Sequence, residues 1–134
     1  MRLFIFLAAL FLSGCVANPI DMGTPPPADW PNLKVVEKRV AFSEMLEKCG
    51  SSVGEVIVAL FVPVAQIPLG CARVNFCTEK CDVWLSENPS EEVVEHERLH
   101  CKGYSHKGSN YFARIWHNHK AALAAGDRCE FYEF

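Results

Sequence analysis

The stretch NPSEEVVEHERLHCKGYSH, residues 88–106, decides how this chain is read. Ser90 can cap a helix by accepting a hydrogen bond from a backbone N–H of the first turn. Glu91 and Glu92 complement the positive end of the helix dipole, and with Glu95 they form a solvated acidic surface. Gly103 supplies the stop, because glycine adopts φ > 0 without a Cβ clash. The spacing therefore predicts one helix running from just after Ser90 to just before Gly103. At about 100° per residue, His96 and His100 lie roughly 40° apart on it, one turn above the other.

Two imidazoles so placed can converge on one cation. A helix continuing past His100 would carry position 106 away from that cation. A turn at Gly103 folds the chain back, so that His106 approaches from another side. Glu97 sits about 100° round from His96, within reach of a metal-bound water. Zinc with three protein ligands and an open fourth position is the catalytic arrangement. There the metal lowers the pKa of the water, and the carboxylate takes its proton as a carbonyl is attacked.

The string H-E-x-x-H-x-x-G-x-x-H over His96–His106 resembles the motif of the metzincin metallopeptidases. The resemblance implies His96, His100 and His106 as ligands of one Zn2+ per chain, Glu97 as general base, and a peptide or protein substrate. It also implies a methionine-containing turn downstream of the third histidine, which this sequence lacks: Met1, Met22 and Met45 all precede the motif. The helix expected over 111–125 is then the candidate to lie beneath the site, with Trp116 taking the structural place of that turn. Tyr104, Tyr111 and Tyr132 are candidates to stabilise an oxyanion through a phenol.

The chain begins MRLFIFLAALFLSGC. Arg2 is a short positive head, Leu3–Leu12 an apolar run too short to span a bilayer comfortably, and small residues follow; this reads as an export signal over residues 1–14. Leu12-Ser13-Gly14-Cys15 resembles the bacterial lipobox, which implies cleavage before Cys15, lipidation of its thiol and a membrane partner through that anchor. Val16 follows where an Asp would favour inner-membrane retention, so the expected location is the outer membrane, facing the periplasm. Seven cysteines are many for 134 residues. Setting Cys15 aside leaves Cys49, Cys71, Cys77, Cys81, Cys101 and Cys129, an even number that in an exported chain implies up to three disulfides of open connectivity. A net charge of −3, with no basic patch interleaved with aromatics, excludes nucleic acid as a partner.

Residues 15–32 hold five of the eight prolines and read as a semi-extended tether. The folded domain is expected over 33–134. Leu33–Phe42 suits either strand or helix, its β-branched residues and rough alternation favouring strand, and Ser43 reads as the cap of a short helix stopped by Gly50. Glu55–Val64 reads as a central strand. Residues 65–81 read as a stapled loop with a short strand near Ala72–Phe76, and Cys81–Glu87 as a further strand by its alternation. In the last helix Phe112, Ile115, Trp116, His119 and Leu123 share a face, and Gly126 caps it. His117 points to solvent, and His119 is a partly buried structural histidine or a support for the metal site. Cys101 points away from His100 and suits a disulfide to a neighbouring element.

The expected fold is a small α+β domain: a mixed sheet with an active-site helix and a C-terminal helix, stapled by disulfides, in a minimal zincin-like form. The expected function is a membrane-anchored zinc metallopeptidase. The alternative is a non-enzymatic cell-envelope lipoprotein, a binding or exclusion factor, with a structural zinc site. A fourth protein ligand from Cys129, Glu130 or His119 would favour that alternative.

Overall fold

The structure, a computed structural model, describes residues 22–50 and 70–129. The export signal, Cys15, the strand expected over 55–64, Glu130 and Tyr132 lie outside the described residues. Among those described, the alternation expected from Cys81 onward produces the centre of the sheet. Strand β3 (Lys80–Ser86) buries Cys81, Val83 and Leu85 completely on one face, while Asp82, Trp84 and Ser86 stay partly exposed on the other. Burying valine or leucine side chains this fully stabilises the fold by about 2 kcal/mol each. Strand β1 (Lys34–Val40) runs parallel to β3, with Glu37 opposite Val83. Strand β2 (Gly70–Asn75) runs antiparallel on the other side, with Ala72 opposite Val83 and Cys71 opposite Trp84. The order is β1-β3-β2.

The short strand expected near Ala72–Phe76 is β2, which begins two residues earlier and ends at Asn75, because Gly70–Asn75 pairs in register with β3. The connection to β3 is short. Within it, Asn75 Oδ1 accepts from Thr78 N at 3.0 Å, and Glu79 takes a positive φ of 52°.

Helix α1 (Phe42–Lys48) lies on the Trp84 face, where Lys48 and Lys38 both sit over the indole. It starts one residue before the expected cap: Ala41 is the N-cap, Ser43 falls inside the first turn, and no side chain closes the end. The apolar demand of buried Met45 and Leu46 sets its phase, whatever the capping preference of Ser43. Helix α2 (Glu91–Cys101) covers the opposite face, across β2 and β3. Glu37 of β1 accepts from Arg98 of α2 on that side. Helix α3 (Tyr111–Ala124) contributes Phe112 and Ile115 to the core formed with Leu33, Val74, Val83, Leu85, Val93 and Val94. Leu123, expected on the same inward face, is 46% exposed: the core ends before the last turn. Gly126, at φ 87°, terminates α3 as expected.

All six cysteines pair. Cys49–Cys71 fixes α1 to β2, Cys81–Cys101 fixes β3 to α2, and Cys77–Cys129 ties the β2–β3 connection to the segment after α3. The domain is therefore a small, disulfide-stapled α+β fold with a three-stranded mixed sheet and three helices among the described residues. None of these helices is long and apolar enough to cross a membrane.

The proline-rich segment differs from a free tether over the part that is described. Thr24 and Ser105 form a β-bridge, Asp29 pairs with Lys120, and the Trp30 indole N–H donates to the Cys101 carbonyl at 3.0 Å. Trp30 also meets Phe76, Phe112 and Trp116 edge to face. Edge-to-face ring pairs of this kind contribute about 0.5 to 1.5 kcal/mol each beyond the area they bury.

Candidate metal centre

Helix α2 carries two of the three motif histidines and begins as the sequence predicts: Ser90 Oγ accepts from Val93 N at 3.3 Å. At the other end, Gly103 N–H donates to the His100 carbonyl, and Tyr104 N–H to the Leu99 carbonyl. This pair of bonds is the glycine-terminated turn that satisfies the last helical carbonyls. Gly103 holds φ at 88°, and a Cβ there would come within 2.5 Å of Trp30 and 2.7 Å of Pro26. Both the backbone and the packing therefore require glycine at this position.

The turn delivers His106 to the helix. The Nε2 atoms of His96 and His106 are 3.0 Å apart, and the three ring centroids stand 4.8 to 5.0 Å from one another. One potential ligand atom from each of the three lies within 4.8 Å of the other two. Nitrogens at zinc-bond length in a tetrahedral shell stand roughly 3.3 Å apart. The triad thus fits a first-row divalent cation with only small side-chain movement.

The same turn orients His100. Its Nδ1 lies 2.9 Å from the Tyr104 carbonyl, so Nδ1–H donates there and Nε2 is left with its lone pair, the form a metal requires. Phe112 of α3 stacks on the ring at 4.9 Å. Burial holds the His100 imidazole down at about 4, and the neighbouring His96 and His106 add to that effect, so the ring is neutral at pH 7. His96 is half-buried and His106 exposed, so one side of the triad faces solvent.

Helix α3 does underlie the triad, as expected, but Phe112 makes the contact rather than Trp116. Trp116 packs with Trp30, Phe76 and His119. Ser105, only 2% exposed, fixes the join: its hydroxyl accepts from Phe112 N at 3.1 Å, while its backbone bonds to Thr24. The sequence reading missed Ser105, and its place beside the third histidine was the available signal.

Glu97 follows His96 on α2 and is 6% exposed. Its side chain lies beside the start of β2, where a Cβ on Gly70 would approach Glu97 Cγ to 3.2 Å. Burial pushes its carboxyl up to about 7. Of the tyrosines proposed for an oxyanion, Tyr104 contributes its carbonyl to His100, and Tyr111 is half-buried with its phenol pushed up by burial. His117 is exposed, as expected.

Of the suggested fourth ligands, the two that are described, His119 and Cys129, do not join the triad. His119 and Cys129 instead form a second group with Cys77, their ligand atoms lying within 4.8 Å of one another. The pairing of Cys77 with Cys129 draws them to the far end of α3. Among the described residues, the histidine group therefore holds three ligands. No family model, curated protein or solved structure matches this chain.

Proposed function

We propose that the chain is a zinc-dependent peptidase anchored to the cell envelope. The observation that carries this reading is the three-histidine convergence, with His100 Nε2 freed by the Tyr104 carbonyl and no fourth side-chain ligand among the described residues. Three protein ligands leave a position open, as catalytic zinc sites require and structural ones do not. Bound there, zinc would supply Lewis acidity towards a carbonyl oxygen and acidify a water.

The chain's own residues do the rest. His96, His100 and His106 hold the cation, and Phe112 and Ser105 keep the buried side of the triad in place. Glu97 takes a proton on a carboxylate oxygen and returns it to the leaving amine. In the zinc-free chain burial raises that carboxyl towards the range that suits transfer in both directions at neutral pH. The metzincin-like spacing supports a peptide or protein substrate. The lipobox-like LSGC supports lipidation at Cys15 and display on the periplasmic side of an outer membrane.

The test is zinc stoichiometry with peptide cleavage in the purified chain. We expect one zinc per chain with the disulfides intact, and cleavage that chelators abolish. Glu97→Gln should retain the zinc and lose about 10²- to 10⁴-fold in kcat/KM, the usual contribution of a general base. Zinc binding with no cleavage of any peptide by the native chain would instead support the structural reading.

A further inference from the structure

Cys77, His119 and Cys129 come from three separate segments: the β2–β3 connection, α3, and the chain just after it. Their two sulfurs and one imidazole nitrogen lie within 4.8 Å of one another. We propose that this group is a second metal site, closed while Cys77–Cys129 is oxidised and opened to a thiophilic cation, Zn2+ or Cu+, when that disulfide is reduced.

The imidazole is already placed. Trp116 stacks on His119 at 5.7 Å and 21°, Phe76 packs against it at 5.0 Å, and the residue is only 6% exposed. Phe76 directly precedes Cys77, and Trp116 lies one turn before His119, so the same contacts hold the ring and the first sulfur together. Thiolates bound to zinc at about 2.3 Å stand roughly 3.7 Å apart, so the two sulfurs must part by about 1.7 Å from their covalent separation of about 2.0 Å. Two thiolates with one imidazole form a soft donor set, suited to these d¹⁰ cations rather than to magnesium or calcium.

The redox step is also selective. Cys129 is exposed and Cys77 half-buried, whereas Cys81 and Cys101 are buried in the core. Thiol attack needs access to a sulfur, so Cys77–Cys129 opens before Cys81–Cys101. Cys49–Cys71 is half-exposed, but it belongs to no metal-ready group among the described residues. The reductant is a thiol or dithiol. It supplies two electrons and two protons, the S–S bond breaks to give two thiols, and the reductant leaves as its own disulfide. The cation then binds both sulfurs as thiolates and displaces two protons to solvent.

The experiment uses the full chain, intact or treated with a phosphine until alkylation mapping shows Cys77 and Cys129 open. Both forms are titrated with Co2+, which reports thiolate ligation by an intense near-ultraviolet charge-transfer band that imidazoles alone do not produce. The intact chain should show no such band; the reduced chain should show it and take up one further equivalent. His119→Ala should weaken that second binding at least about tenfold, by analogy with the loss of groups that hold a metal ligand in place. The double variant C77S/C129S should abolish the band. The proposal is overturned if the reduced chain gives no band, if the band survives in C77S/C129S, if His119→Ala binds unchanged, or if Cys81–Cys101 opens first. The band reports thiolate alone, so the result holds whichever way the histidine triad behaves.

Discussion

The two metal-ready groups of this domain are built in opposite ways. His96, His100 and His106 lie within one helix and the turn that ends it, so their convergence is a local event: helical periodicity aligns two rings, and one left-handed glycine returns the third. Cys77, His119 and Cys129 are brought together only by the sheet, α3 and a disulfide closing 52 residues. The local group is legible from a short string of sequence; the distributed group exists only once the whole domain has folded. Trp30 stands between them, touching Gly103 on one side and Phe76 and Trp116 on the other. The two groups can therefore be tested for independence.

Gly103→Ala should have the largest effect. A left-handed alanine costs about 1 to 2 kcal/mol, and forcing its methyl against Trp30 and Pro26 adds about 1 to 3 kcal/mol of overpacking. The expected loss in urea-unfolding free energy is about 2 to 5 kcal/mol, a large share of the stability of a small domain. The triad should lose zinc affinity because His106 no longer returns. The Trp30 displacement should also reach Phe76 and Trp116. If the variant keeps both its stability and its zinc, the local account of the triad is broken.

The next effect concerns pH in the zinc-free protein. Burial raises the Glu97 carboxyl from 4.5 to about 7, so the folded state binds its proton more tightly than the unfolded state. That contribution is fully present below pH 4.5 and is lost as pH rises through 7, at about 3 kcal/mol for a shift of this size. Burial lowers His100 from 6.5 to about 4, which has the opposite sign: its contribution is present above pH 6.5 and lost as pH falls through 4. The two nearly cancel over the same window. Comparing chemical unfolding of the native chain with Glu97→Gln isolates the first. In the variant, stability should rise by about 3 kcal/mol from pH 4 to pH 7 relative to the native curve. Parallel curves would mean that Glu97 is not buried beside β2 as described.

Much of this was legible because capping and turn chemistry are local. Ser90, Gly103 and Gly126 do what their residue types favour, and the alternation from Cys81 onward places β3. What was not legible depended on pairing at a distance. The extension of β2 needs β3 beside it, the cysteine connectivity needs the finished sheet, and the Pro-rich segment joins the fold through a tryptophan whose partners are Phe76, Phe112 and Trp116. Phe112 supports the triad instead of Trp116 for the same reason. Both lie on the inner side of α3, and only the packing of that helix assigns one to His100 and the other to His119.

Ser105→Ala sharpens the comparison at the join between α3 and the triad. It removes the acceptor of a buried Phe112 N–H, and leaving such a donor unsatisfied costs about 1 to 3 kcal/mol. Ser105 also precedes His106. The loss in the zinc-free chain should therefore be accompanied by about a tenfold to hundredfold loss in zinc affinity, the usual range when a group supporting a ligand is removed. Unchanged affinity in a competition titration would show that His106 is placed by the Gly103 turn alone.

Ser90→Ala is the smallest change and the control for all the others. Its hydroxyl closes the first turn of α2, and losing it costs about 1 kcal/mol. The histidines sit in the later turns of that helix and in the turn beyond it, held by Tyr104, Phe112 and the Gly103 bonds rather than by the first turn. The cost should therefore be the same with and without zinc, leaving affinity unchanged while the unfolding midpoint falls. A zinc affinity that dropped with the cap would mean that the ligands depend on the whole length of α2. The triad would then no longer be the local construction that distinguishes it from the cysteine–histidine group.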